Sequence, residues 1–182
     1  MNEVCYDILV KIEKIIKAKE YNIKEDIDTP YTFYIYKEET PASIIHIIKT
    51  DSPISPGKTR STSKLIHNDV FAITWLETYE GYKCEFLALL LLIYGICILQ
   101  LRFTNINYIV LDDDSDKSHE LMESNIYNSI GFKFRDTIQI DITKKNKIIT
   151  QGPEKQLEIN KEFVNKINIL LNVKFRQFQF YF

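Results

Sequence analysis

The residues with the clearest chemical potential form a polar turn before a long apolar run, "TYEGYKCEFLALLLLIYG", from Thr78 to Gly95. Gly81 lies in the turn, and apolar residues follow from Phe86 to Leu99. The first N–H groups of a helix have no intrahelical partners, and the helix dipole is positive at that end. Such a turn can therefore face a phosphate, although the same run could also be a membrane span or a buried helix.

The length of the apolar run favours a buried helix. The run covers about 14 residues, whereas a helix needs about 20 to cross a bilayer. Tyr94 and Gly95 interrupt it, and Gln100 and Arg102 follow it closely. The sequence therefore predicts a buried helix from about residue 85 to residue 103 and no membrane span.

An acidic cluster, "DDDSD", suggests calcium as a second possibility. Asp112, Asp114, Asp116 and Glu123 have the spacing of four ligands of an EF-hand loop. Lys117 stands where that loop needs a glycine for its sharp turn. In addition, the segment before the acidic cluster is predicted to be a strand, whereas an EF-hand loop follows a helix. We favour the alternative that these acids follow a strand and begin a helix, where the helix dipole stabilises their charge.

Two further patterns are weak. "SPGKTRS" contains Gly-Lys-Thr, but a phosphate-binding P-loop needs a glycine five residues before Gly57, where this chain has Ser52. His46, His67 and His119 do not have the spacing of metal ligands. The sequence predicts no metal site.

The composition is that of a globular domain. The chain has 182 residues, of which 45% are hydrophobic and 26% charged, and its net charge is -2. That charge makes nucleic acid an unlikely partner. Three cysteines without a pairing pattern, and no secretory signal, predict an intracellular, cytoplasmic protein. Abundant Ile, Lys, Asn and Tyr suggest an AT-rich genome, such as that of a large DNA virus or a protist, so host cytoplasm or a virion is a further expectation.

Hydrophobic periodicity gives the elements that must position the turn. An amphipathic helix is expected from Glu3 to Lys19. Two β-rich segments, "YTFYIYKEE" and "SIIHIIKT", predict a hairpin, and "VFAITWLET" predicts a third strand. The Ser-, Pro- and Thr-rich segment 51–69 reads as a long surface loop.

The second half alternates strands and helices. "NYIVLDDD" predicts a strand, 117–131 a helix closed by Gly131, and "FKFRDTIQIDIT" a strand. Asn146 and Gly152-Pro153 are expected to break the chain. A last helix would then turn its apolar residues inward, and "KFRQFQFYF" would end the chain as a strand. Those inward residues are Leu157, Phe163, Val164, Ile167 and Leu171.

The fold class expected from this order is α/β (α+β). We predict a mixed, mostly antiparallel central sheet of six to seven strands with helices on both faces. The strand–helix–strand unit in the middle should be a right-handed parallel crossover.

Two segments in this order resemble the GNAT family of N-acetyltransferases. "NIYNSIGFKF" is similar to the ending of the family's fourth helix, with Tyr127, Ile130, Gly131 and Phe132 in register. "TWLETYEGYKCEFLALLLL" occupies the place of the acetyl-CoA loop, between the fourth strand and the third helix. The resemblance implies a single GNAT-like domain over 1–182, with a core at about 31–135 and with helix 3–19 and segment 154–182 as additions.

The resemblance also implies an activity and its residues. An enzyme of this kind would transfer acetyl from acetyl-CoA to an amine by direct attack on the thioester. The resemblance implies that Tyr127 protonates the departing thiolate and that Glu77 is a general base. It implies cofactor binding by Thr78, Gly81, Tyr82, Lys83, Cys84 and Asn125.

The loop departs from the family pattern, and this leaves an alternative open. Glu80 stands where the family has Gln or Arg, and Lys83 and Glu85 replace two small residues. Carboxylates repel a diphosphate, and large side chains keep it from the backbone. The alternative is a catalytically inactive GNAT-like module with a structural role and a protein partner, for instance in a viral particle. On that reading Tyr127 packs against the sheet and Glu77 is a solvated charge at the end of a strand.

Overall fold

A computed structural model of the chain describes residues 2–50, 70–83, 86–103, 106, 108–112, 125–141 and 146–175. Four helices and seven strands lie within these residues. Their order along the chain is α1 (Asn2–Ala18), β1 (Tyr21–Glu25), β2 (Thr32–Lys37), β3 (Thr40–Thr50), β4 (Val70–Thr78), α2 (Leu87–Arg102), β5 (Tyr108–Asp112), α3 (Ile126–Ile130), β6 (Lys133–Asp141), β7 (Asn146–Glu158) and α4 (Lys161–Lys174).

The strands form one mixed sheet in the order β1-β2-β3-β4-β5-β7-β6. Strands β4 and β5 are parallel, and the other neighbouring pairs within the described sheet are antiparallel. The predicted α+β class, the hairpin of β2 and β3, and the parallel pairing across α2 are therefore confirmed. The placement of helices on both faces stays a prediction.

The packing of α2 explains its apolar sequence. Residues around the whole helix are buried, including Leu89, Leu92 and Ile96, because α1 lies against it as well as the sheet. Gly95 allows close approach, since a Cβ there would lie 3.1 Å from Cδ1 of Ile47. The predicted buried helix is confirmed. Among the described residues, no helix combines the length and apolar character that a membrane crossing requires.

Several boundaries differ from the sequence prediction. The short strand β1 was not predicted. Gly152-Pro153 does not break the chain, because β7 runs through both residues. Leu157 is buried as predicted, but it belongs to β7 and pairs with Ile109 rather than lying on a helix.

The last helices also begin later than predicted. Helix α4 starts at Lys161, where the side chain of Asn160 caps it, and it ends at Lys174. A continuous helix over 117–131 is wrong at Asn125, whose extended backbone precedes α3. Loop 51–69, residues 117–124 and residues 176–182 of the predicted final strand lie outside the described residues. The division of the chain into a core and additions stays a prediction.

Candidate active site at the parting of two parallel strands

The candidate site begins where β4 separates from β5. The two strands pair only from Phe71 to Ile73 on β4 and from Ile109 to Leu111 on β5. Strand β4 then continues to Thr78, still paired with β3 on its other side. The described residues therefore leave a notch at the carboxyl ends of two parallel strands, which is where open α/β sheets bind ligands.

A β-bulge marks the point of separation. His46 pairs with Trp75 and Ile47 with Ile73, so Thr74 is an extra residue on β4. The Thr74 hydroxyl lies 3.1 Å from Nδ1 of His46. Because a bulge bends its strand and increases the local twist, it accounts for the departure of β4 from β5.

The turn after β4 leads directly to the first residues of α2. Gly81 has a φ of 94°, a conformation that glycine adopts without strain. The N–H of Tyr82 donates to the carbonyl of Tyr79 at 3.1 Å, which closes the turn. The residue before α2, Phe86, has a φ of 59° and gives the helix no side-chain cap. The first N–H groups of α2 are thus not capped by the side chain of that residue.

The side chains of the turn differ in their surroundings. The ring of Tyr82 meets that of Tyr21 edge-on with centroids 6.2 Å apart, so Tyr82 has a packing role. Lys83 is exposed, as is Gly81. Cys84, which the resemblance assigned to cofactor binding, lies outside the described residues, as does Glu85.

An aromatic group stands beside the start of α2. The ring of Phe86 is 45% exposed and meets the ring of Phe175 edge-on, with centroids 6.1 Å apart. The ammonium of Lys174 lies 4.5 Å from the centroid of Phe86. The end of α4 therefore places a cation near this mouth of the site.

Glu77 and Thr78 lie together at the end of β4 but point to opposite faces of the sheet, as neighbours on a strand do. The carboxylate of Glu77 accepts a hydrogen bond from the indole N–H of Trp75 at 3.1 Å. The Thr78 hydroxyl lies 3.3 Å from that of Ser43, which donates to the carbonyl oxygen of Glu77 at 2.6 Å. The backbone at the notch is thereby held by a buried side chain.

Tyr127 and Asn125 lie together at α3. The side-chain oxygen of Asn125 accepts from the N–H groups of Tyr127 at 2.9 Å and Asn128 at 3.3 Å, so Asn125 caps the helix. The Tyr127 ring is partly buried and meets Phe132 edge-on, with centroids 5.9 Å apart. Gly131 closes the helix in the left-handed conformation, as predicted.

Sequence reasoning missed three residues of this region: Trp75, Ser43 and Phe86. The position of Trp75 carried a usable signal, because a residue two places before Glu77 on a strand shares its face. Ser43 and Phe86 had no such signal, since their roles depend on pairing across the sheet and on α4.

Metal ligands are not grouped in the described part of the chain, where no cluster of three or more His, Cys, Asp or Glu residues could hold an ion. Three acids of the calcium pattern, Asp114, Asp116 and Glu123, fall outside that part.

The sequence matches no protein-family model and no curated protein. Solved structures match this chain at low sequence identity. Arabidopsis thaliana Naa50, bound to a bisubstrate analogue of CoA, matches at 13% identity and a TM-score of 0.46, over 80% of this chain and 89% of that one. The NatC complex bound to Gag peptide and CoA matches at 14% identity and a TM-score of 0.44, over 84% of this chain and 91% of that one.

Two further structures match at similar levels. An acetyltransferase from Desulfovibrio desulfuricans assigned to the GNAT family matches at 12% identity and a TM-score of 0.44, over 71% of this chain and 68% of that one. FeeM, an N-acyl amino acid synthase from uncultured soil microbes, matches at 15% identity and a TM-score of 0.44, over 86% of each chain. At these TM-scores and identities the matches carry no information about the activity or the substrate of this chain.

Proposed function

We propose that this protein is a GNAT-like, acyl-CoA-dependent N-acetyltransferase. The observation that carries the proposal is the notch between β4 and β5 beside the start of α2. The order β4, turn, α2, β5 is the one in which the sequence resemblance places the fourth strand, the cofactor loop, the third helix and the fifth strand.

The two parts of the notch suit the two parts of acetyl-CoA. Within the described residues, the edge of β4 between Thr74 and Thr78 has no strand partner on the side of β5, and it can pair with an extended, amide-bearing arm as a strand edge pairs with a peptide. The start of α2 can face the diphosphate, and Lys83 and Lys174 can add positive charge near it. Gly81 leaves open space at the turn, since a Cβ there would meet no atom within 4 Å.

The chemistry needs two proton transfers. The amine nitrogen attacks the thioester carbonyl carbon, and the carbon–sulfur bond breaks. Glu77 accepts the proton that the amine loses, directly or through a water molecule, and Tyr127 gives its hydroxyl proton to the departing thiolate. Support for these roles is the sequence resemblance and the place of Glu77 at the notch.

A catalytically inactive module is the second candidate, and the side chains of the turn favour it. Glu80 and Lys83 are exposed where small or basic residues would admit a diphosphate, and the ring of Phe86 stands at the start of α2. Such a module would act through a protein partner. A cytoplasmic location and a viral origin stay predictions from composition.

Titration calorimetry with acetyl-CoA separates the candidates. A micromolar dissociation constant would support the transferase, whereas no heat at millimolar ligand would reject it. The variant Glu80→Gln should bind about tenfold more tightly, because it removes a like charge near the diphosphate. Glu3→Gln, which removes an exposed carboxylate from the first turn of α1, is the matched control and should change nothing. Equal affinity of Glu80→Gln and wild type would show that the turn does not contact the ligand.

A further inference from the structure

The face of β3 and β4 that points away from α2 carries an unusual group of side chains. We call it the aromatic–carboxylate patch and define it by Tyr34, Ile44, Trp75, Glu77 and Tyr79. Ile44 pairs with Tyr34 on one side and Glu77 on the other. The neighbouring residues Phe33 and Ile45 lie against α2, as the contact of Phe33 with Tyr94 and the proximity of Ile45 to Gly95 show. By alternation along each strand, the patch residues occupy the outer face.

Aromatic residues share this face with the carboxylate of Glu77. Trp75 is 58% exposed and holds Glu77 through its indole N–H. Tyr79 follows two residues after Glu77 and is tied to β3, where its N–H donates to the carbonyl of Ala42 at 3.0 Å. Burial raises the pKa of Tyr34, and the charges of Asp26, Tyr36 and Tyr79 raise it further.

The charge of the patch is uncompensated. Among the described residues, no lysine or arginine forms an ion pair with Glu77. At the margin, the ammonium of Lys24 lies 5.2 Å from the centroid of the Tyr36 ring, so an aromatic face here already accepts a cation. Rings attract cations through their negative faces, and a carboxylate adds an ion pair. The patch thus complements an organic cation.

We propose that the aromatic–carboxylate patch binds the protonated primary amine of a lysine-like aliphatic chain. Glu77 pairs with the ammonium, Trp75 and the two tyrosines surround it, and Ile44 contacts the methylene chain. The position of the patch on β4, beyond its last partner on β5, places the amine beside the notch. As the acceptor site of acetyl transfer, the patch rests on the proposed function, although binding of the amine does not.

The chain supplies its own probe, because Trp75 is its only tryptophan. The experiment is a fluorescence titration of the full chain with Nα-acetyl-lysine amide. We expect a saturable change with a dissociation constant on the order of 1 mM, weakened by added salt. The neutral norleucine analogue has the same aliphatic chain and should give no saturable change.

The variant Glu77→Gln keeps an acceptor for the indole N–H and removes the charge. It should weaken binding of the lysine analogue by about tenfold or more. Glu3→Gln again serves as control and should bind as the wild type does. The proposal is overturned if the norleucine analogue binds equally, or if Glu77→Gln retains full affinity while circular dichroism shows it folded.

The outcome separates this proposal from the proposed function. Binding of the lysine analogue without binding of acetyl-CoA would keep the patch and reject the transferase. Binding of acetyl-CoA with no response to the lysine analogue would keep the transferase and reject this acceptor class.

Discussion

The two faces of β3 and β4 are made by alternating residues of the same strands, yet one is buried against α2 and the other is partly exposed. On the face toward α2, Ile45 and Ile47 are fully buried and a glycine admits the helix. On the outer face, Ile48 is 38% and Trp75 58% exposed. The difference teaches that the packed face determines stability, whereas the outer face can accept changes at little cost to stability.

Truncation of one residue on each face gives the largest expected contrast. Ile45→Ala should lower the free energy of unfolding by about 3 kcal/mol, because it removes buried methylene groups and leaves a cavity. Ile44→Ala, one residue earlier and only partly buried, should cost about 1 kcal/mol or less. Urea denaturation followed by circular dichroism measures both. Similar losses for the two variants would contradict the distinction between the faces.

Overpacking tests the same contact from the helix side. Gly95→Val should cost about 1–3 kcal/mol, because its Cβ already lies 3.1 Å from Cδ1 of Ile47 before the two methyl groups are added. The matched control is Ala88→Val on the same helix, at a partly exposed position, with an expected cost of about 0.5 kcal/mol. If thermal unfolding gives equal costs, the approach of α2 to β3 is looser than described.

An ion pair at the rim of the packed face should have the smallest effect. The guanidinium of Arg102 hydrogen-bonds to Glu25 and lowers the pKa of that carboxyl below its usual 4.5. Both side chains are part-exposed, so the pair should contribute about 0.5 kcal/mol.

The sign of the pH dependence follows from the lowered pKa. The stabilisation is present above 4.5 and is lost as the pH falls through the lower pKa of the folded state. Urea midpoints of wild type and Glu25→Gln should therefore differ above pH 4.5 and converge as the pH falls below that value. A difference that grows toward acid would refute this assignment.

The sequence predicted those elements whose pattern is long. Helix α1 and strands β2, β3 and β4 were placed within a few residues, and the apolar run of α2 gave a buried helix. Strand β1 was missed because its five residues include Lys24 and Glu25 and offer too short an alternation. Strand β7 was missed because Gly152-Pro153 usually ends a strand, whereas here the pairing with β6 continues around it.

The candidate site residues stay predictions, and some of the contacts that surround them could not be read from the sequence. Glu77 and Gly81 were named from the resemblance of the strand, turn and apolar helix to a GNAT cofactor loop. The hydrogen bond from Trp75 and the ring of Phe175 beside Phe86 could not be predicted, since they depend on side-chain direction and on a helix far along the chain. The role of Asn125 as a helix cap was not predicted, because the sequence pattern placed Asn125 inside a continuous helix over 117–131.

The extra residue Thr74 changes which residues of β4 face the core, from odd-numbered before it to even-numbered after it. Before it, the odd-numbered Phe71 and Ile73 face α2, and after it the even-numbered Leu76 takes that place opposite Ile45. An uninterrupted strand would aim Trp75 and Glu77 into the core, where a charge and a large ring would not fit. A single inserted residue therefore turns what would be core positions into exposed ones.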